Sequence, residues 1–164
     1  MATAQARGES YEANPGARGH SCALVAVDVF SRYVIMLPWK GDPNSTAAAT
    51  MLLDRIVGGP GGVPSTVITD GGPEFHDLFK VLCADIGIHH HRSSPGHSQG
   101  HGIVERANAT LSSTIAKYLQ DSPDEWDLFT GWAQLLHNAT PHPALSEGNV
   151  ASVSPAEAFL GRKL

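Results

Sequence analysis

Apolar and polar positions fall in short blocks along the chain, and the blocks predict its elements. Cys22-Ala-Leu-Val-Ala-Val-Asp28 is apolar and β-branched, too short for a helix, and reads as a strand buried on both faces. Phe30-Ser-Arg-Tyr33 permits a turn, and Val34-Ile-Met-Leu37 with Trp39 reads as the second strand of a hairpin. Asn44 or Ser45 can cap a helix through about Val57, with Ala48, Leu52, Leu53 and Ile56 on one face. Ser65-Thr-Val-Ile-Thr69 is a short strand that stops on Asp70-Gly71-Gly72-Pro73. Phe75, Leu78, Phe79, Leu82 and Ile86 have the spacing of a helix face, and Gly87 suits its C-terminal cap. Ile88 to Arg92 reads as a strand, Ser93 to Gly100 as a loop, and His101 to Gln120 as a long helix. Ser122-Pro123 opens a further helix whose Trp126, Phe129 and Trp132 are expected in the core, and Ser154-Pro155 opens a short one containing Phe159. The first 20 residues have no period and read as a disordered or linker-like segment, leaving residues 21–164 as one domain. Strands alternating with helices in this order make the chain α/β with a mixed sheet.

Composition narrows the function. Hydrophobic residues make up 41%, enough for a sizeable core, while 11 Lys and Arg against 16 acids give a formal net charge of -5. That balance excludes a polyanion binder relying on its bulk field, so a nucleic-acid role needs a local basic patch. The two cysteines, Cys22 and Cys83, lie far apart and outside any C-x-x-C pattern, which excludes a disulfide framework or a cysteine-paired zinc site and leaves them as buried hydrophobes. His89-His90-His91, His97 and His101 lack the paired spacing of structural zinc ligands. No run approaches the ~18 apolar residues of a membrane span, and no signal core opens the chain. The expectation is a soluble intracellular protein.

Acids at strand ends and loop-to-helix junctions are where the chemistry can sit. Asp70 follows an apolar strand and precedes glycines that let a ligand approach the backbone, and Glu105 opens the long helix after a flexible loop. Taken singly, each also fits a bland role, as a turn residue or a helix-dipole acid. Together with their surroundings, Thr69-Asp70-Gly-Gly-Pro-Glu-Phe75 and His97-Ser-Gln99-Gly-His-Gly102-Ile-Val-Glu105-Arg106-Ala-Asn108-Ala-Thr-Leu111 resemble the catalytic core of retroviral and LTR-retrotransposon integrases, which are DDE polynucleotidyl transferases of the ribonuclease H-like superfamily. Ser98 and Gly100 depart from the family's second block. Val25 to Arg32, His137-Asn138-Ala-Thr-Pro-His142 and Ser154-Pro155 to Gly161-Arg162 are similar to three further family blocks, so the resemblance covers about residues 22 to 164.

The resemblance implies a ribonuclease H-like fold, a mixed β-sheet flanked by α-helices. It implies DNA integration by phosphoryl transfer, with 3′-end processing by water and strand transfer by a DNA 3′-hydroxyl, assisted by Mg²⁺ or Mn²⁺. Asp70 and Glu105 match the second and third acids of the family triad and are the implied catalytic and metal-binding residues. The first acid belongs on the strand before Cys22, yet Gly8 to Pro15 holds no Asp, so that first strand reads as missing or degenerate. Asp28 is the weaker candidate for the vacant role, because strand-end acids at its position in the family are usually structural. Arg92, His97, Gln99, Arg106 and Asn108 form a local strip suited to DNA phosphates, at element ends and target alike. A homodimer or higher homo-oligomer, with no membrane partner, is the implied assembly, nuclear when acting on chromosomal DNA. An inactive DNA-binding or dimerising remnant, or a related transposase or nuclease, stands as the alternative.

Overall fold

The structure is a computed structural model that describes residues 16–93, 98–119, 123–145 and 153–164, and the backbone of residues 3–10. Five strands form one sheet in the order β3-β2-β1-β4-β5. They are β1 (Thr3–Ser10), β2 (Cys22–Asp28), β3 (Val34–Trp39), β4 (Thr66–Thr69) and β5 (His89–Arg92). The hairpin expected from the sequence is present, β2 and β3 pairing antiparallel from Cys22↔Trp39 to Val27↔Val34. β1 runs antiparallel to β2 and parallel to β4, and β4 is parallel to β5, so the sheet is mixed.

The N-terminal segment corrects the linker reading. Thr3–Ser10 lies in the middle of the sheet, with Ala4 paired to Asp28 on one side and to Val67 on the other. In its sequence, Thr-Ala-Gln-Ala-Arg-Gly-Glu-Ser, the alternating apolar positions Ala4, Ala6 and Gly8 are too small, and without β-branched or aromatic residues, to announce a strand. Pairing on both edges supplies what propensity does not. The first strand is therefore present in place and degenerate in sequence.

β2 reads as doubly buried and is so. Leu24 and Ala26 enter one core with Ala47, Ala48, Met51, Leu52, Val67, Phe75, Phe79, Cys83 and Ile88, while Ala23, Val25 and Val27 enter another with Val34, Met36, Val104, Leu111, Ile115 and Trp126. Burial pushes the Cys83 thiol up to about 11, so it stays a neutral core group. The first layer is built by α1 (Ser45–Thr50), which continues as a π-helical stretch over Met51–Val57, and by α2 (Asp77–Asp85). Asn44 caps α1 by accepting from the Ala47 N–H, as expected. The i→i+5 bonding of the π stretch turns the inward face to Met51 and Leu52 and leaves Leu53 exposed. Leu78, also expected inside, is exposed because the buried face of α2 is drawn by Phe79 and Cys83, and Leu78 lies one residue, about 100°, off it.

The second layer is α3 (Ser98–Leu119) and α4 (Thr130–Ala139), the latter preceded by a 3₁₀ turn over Pro123–Leu128. That turn buries Trp126 but carries Trp132 and Leu135 outward, 45% and 42% exposed, so Trp132 is not a core residue. Asn138 ties α4 to the sheet: its Oδ1 accepts from Val34 N at 2.8 Å and its Nδ2 donates to Val34 O at 2.8 Å. Asp127, wholly buried, accepts from Arg18 N and pairs with His20 Nδ1 at 2.7 Å, which fastens the segment before β2 to this layer. α5 (Pro155–Leu160) opens on a capping box between Ser154 and Glu157 and ends on left-handed Gly161. Its Phe159 stacks on Tyr33 at 4.5 Å and covers Gly61, where a Cβ would stand 2.5 Å from the ring.

Candidate active site at the end of strand β4

Asp70 comes directly after β4 and is half-buried. Its Oδ1 accepts from Gly72 N at 3.1 Å, the Asx turn that Asp-x-Gly favours. The residue before it is held from two sides. Thr69 Oγ1 donates to the Asp70 carbonyl at 3.0 Å and meets His90 Nε2 at 2.9 Å, while the Ser93 N–H and hydroxyl both donate to the Thr69 carbonyl at 2.9 Å. Because the Thr69 hydroxyl already donates its proton to a carbonyl, His90 Nε2 is the donor in that contact. Burial, then the charges of Arg92, Lys80, His76 and His91, hold the His90 pKa below its ordinary value, and the ring packs edge-on against Phe79. His90 is thus a structural donor, neutral near pH 7. His89 and His91, on the same strand, are exposed.

Arg92 pairs with Thr69 across β4 and β5 and is exposed. Its guanidinium lies beside Gly71, with Nη2 3.7 Å from where a Cβ would stand. Arg92 and Asp70 therefore share one end of the sheet, separated by a glycine that leaves room for a ligand backbone.

Parallel β5 ends on that same side, and only residues 94–97 separate Ser93 from the start of α3. Helix α3 begins at Ser98, inside the stretch expected as loop, so Glu105 sits two turns into the helix rather than in its first turn. Glu105 and Arg106 are exposed, and the Arg106 guanidinium folds back over Gly102, Nη1 3.3 Å from a Cβ position there. Asn108 is buried at 3% exposure, between the core residues Val104 and Leu111, so its side chain turns inward rather than to solvent. His97 lies outside the described residues, and so does the side chain of Gln99, whose backbone is in the first turn of α3.

Asp28 stands elsewhere. It pairs with Ala4, and Ala4 with Val67, three residues short of Asp70 and two strands away, which sets the two aspartates on the order of 14 Å apart. Its Oδ1 accepts from the Ser31 N–H and hydroxyl, each at 2.7 Å, closing the turn to β3. Extending the Ala6↔Thr69 register by one residue sets Arg7, not an acid, alongside Asp70. Among the described residues no group of three His, Cys, Asp or Glu comes together as a metal cage. Carboxylate oxygens are the donors a hard divalent ion prefers; of the implied ligands, Asp70 stands at the end of β4 and Glu105 on the exposed side of α3, and the register position beside Asp70 supplies no further carboxylate. No helix among the described residues is long and apolar enough to cross a membrane.

A second concavity was not anticipated. Arg32, Arg106, Lys117, His137 and His142 converge from the β2–β3 turn, α3, α4 and the segment after α4 on a cleft of about 790 Å³. Scattered over more than a hundred residues, they left no local signal in the sequence.

The chain is similar to known proteins along nearly all its length. A family model described as the integrase core domain matches residues 11–98. A Gag-Pol polyprotein of walleye dermal sarcoma virus is 30% identical over 144 residues, which are 87% of this chain and 8% of that polyprotein. A retrovirus-related Pol polyprotein from transposon 412 of Drosophila melanogaster is 26% identical over 145 residues, 88% of this chain and 11% of the relative. The chain thus spans about a tenth of the length of such relatives. In structure it is similar to the HTLV-2 integrase catalytic core domain in complex with magnesium, with TM-score 0.71, 24% identity, and 96% and 95% of the two chains covered. The catalytic core domain of BIV integrase gives TM-score 0.71 at 22% identity, over 97% of this chain and 93% of that one. The fold is thereby the ribonuclease H-like one of integrase catalytic cores. With the family model spanning more than half of the residues, this chain belongs to the integrase core domain family.

Proposed function

We propose that this chain is the phosphoryl-transfer core of a retroelement integrase, acting on the element's DNA ends and on target DNA. The observation that carries the reading is Asp70 at the end of β4 with Gly71 and the Arg92 guanidinium beside it, in a chain whose helix α3 carries the exposed Glu105. Asp70 and Glu105 hold Mg²⁺ or Mn²⁺ through carboxylate oxygens, as befits hard cations. Such an ion, when bound, supplies Lewis-acid stabilisation of the phosphoryl oxygens during end processing and strand transfer. The chain's own residues do the rest. The Thr69 backbone, pinned by Ser93 and capped through its hydroxyl by His90, fixes where Asp70 can reach. Gly71 keeps the approach to that carboxylate open, and Arg92 and Arg106 engage the DNA phosphates, positioning the scissile bond without reading bases.

One observation favours a second reading: the register position beside Asp70 holds Arg7 rather than an acid. In that case the chain binds DNA without cutting it. A metal titration followed by an assay on pre-trimmed DNA ends separates the outcomes. Joining identifies an integrase, cutting alone a nuclease or transposase, and binding alone a remnant.

The exposed Trp132 and Leu135 on α4, with Leu128 and Tyr118 beside them in the same layer, support a homodimer as the working assembly. Sedimentation of the wild type and of Trp132→Asp tests it; a dimer is expected for the first and a monomer for the second.

A further inference from the structure

The cleft between α3 and α4 is lined by three permanent cations, Arg32, Arg106 and Lys117, and by His137 and His142; among the described residues no Asp or Glu lines it. In a chain of net charge -5 such a lining is a pronounced local inversion. One guanidinium nitrogen, Arg32 Nη1, is buried and has no hydrogen-bond partner among the described residues. Arg32 as a whole is only half-buried and lines the cleft, which sets its fixed charge against whatever occupies it. Arg32 also carries a left-handed backbone, φ 63, so the β2–β3 turn holds it in place against its own preference.

Two further observations agree. His142 is held below its ordinary pKa by burial and then by the positive charges of Arg32 and Arg106, so the cleft carries a positive potential. His137 is held low by burial first, although its Nε2 lies 3.3 Å from the Arg32 carbonyl. The cleft is also long. Arg106 and Lys117 are eleven helical residues apart, roughly 16 Å along α3. That length suits a run of consecutive phosphates rather than one small anion.

We infer that this cleft is a nucleic-acid track continuing from Arg106, in which Arg32 and Lys117 grip the phosphodiester backbone of a DNA strand beyond the Asp70 end of the sheet. The inference rests on the DNA-acting reading above and extends it, because Arg32, Lys117, His137 and His142 belong to no part of that site. A carboxylate-rich peptide is the other polyanion that would suit the charge. The elongated, evenly cationic lining favours the nucleic acid.

The test is fluorescence anisotropy of the full chain with a labelled DNA duplex across a salt series. Lys117→Ala is expected to weaken binding about 3–10-fold and to reduce the salt slope by about 0.9, the signature of one lost phosphate contact. Arg32→Gln is expected to weaken it similarly; should that turn variant misfold by circular dichroism, Lys117 alone decides. In the wild type, the imidazole ¹⁵N resonances of His137 and His142 are expected to shift on adding duplex. If Arg92→Ala weakens binding while Lys117→Ala and Lys117→Glu change neither affinity nor slope, the cleft is not a DNA track and the Asp70 reading stands. If the wild type binds no duplex at all, both fail together. Polyglutamate that binds in a Lys117-dependent way, with duplex binding independent of Lys117, overturns the inference in favour of an acidic peptide.

Discussion

Asp28 and Asp70 each stand at the end of a buried strand, and each turns its carboxylate back onto the adjoining turn, yet they lie at opposite ends of the sheet. The Ser31 N–H and hydroxyl both close on one Asp28 oxygen at 2.7 Å, whereas Asp70 accepts a single, longer bond from Gly72 at 3.1 Å. The two turns differ as well. After Asp28 the chain bends through a turn that ends in the left-handed Arg32; after Asp70 come two glycines and the guanidinium of Arg92. An acid at a strand end is a candidate ligand only where its turn leaves it oxygens to give and space to give them in. Sequence position alone does not separate the two; the hydrogen bonds do.

The comparison breaks most visibly in activity. Asp70→Asn is expected to lower joining or cutting of pre-trimmed ends by at least about 100-fold, about 2.7 kcal/mol in the barrier, while Asp28→Asn stays within about twofold. Loss of activity in the Asp28 variant at unchanged stability would sink the assignment. Stability should show the reverse order. Asp28→Ala, which strands the Ser31 donors, is expected to cost about 1–2 kcal/mol in urea unfolding, and Asp70→Ala less. An equal cost for both would mean the two turns are equivalent.

Asp127 sharpens the contrast from a third direction, being buried outright. Burial raises its pKa, but the bonds from His20 and the Arg18 backbone outweigh that and hold the carboxyl below the usual range. A carboxyl lower in the folded than in the unfolded chain stabilises above its unfolded pKa of about 3.9 and loses that contribution as pH falls through the folded value. Thermal melts from pH 5 downward should therefore fall more steeply for the wild type than for Asp127→Asn. The smallest effect is expected at Gly71. An added Cβ meets only Arg92 at 3.7 Å, so Gly71→Ala should change stability by less than about 0.5 kcal/mol while weakening DNA binding. The neighbouring Gly72→Ala drives a Cβ into the Glu74 carboxylate and should cost more, which a parallel melt will read.

Much of this was legible in the residues. The bounds of β2, Cys22–Asp28, derive from its apolar run because a strand buried on both faces has no polar interruption. The Asn44 cap, the Gly87 turn and the short helix opened by Ser154-Pro155 are local chemistry and are present as expected. β1 was not anticipated, since its pairing partners are remote in sequence and its alternation of Ala4, Ala6 and Gly8 with polar residues has no β-branched or aromatic member. Trp132 was misplaced for a related reason: helical spacing locates a face, but the 3₁₀ turn before α4 decides which way that face looks. At the site, Asp70 and the glycines after it are legible as a unit, whereas Arg92 joins them only through the Thr69↔Arg92 pairing of two strands. The Arg32–Lys117 cleft is not legible, because only the folded chain assembles it.

The stack of Phe159 on Tyr33 bears on the order of synthesis. The β2–β3 hairpin leaves the ribosome ahead of both helical layers, but the ring that seats its turn and covers Gly61 belongs to α5, well over a hundred residues later. At roughly 5–20 residues per second, Tyr33 waits on the order of ten seconds for its partner. During that interval the hairpin turn has an uncovered aromatic surface that a chaperone, or a second nascent copy, can occupy. The clasp closes only once both layers have already been synthesised, which makes it a late seal on the sheet rather than a seed for it.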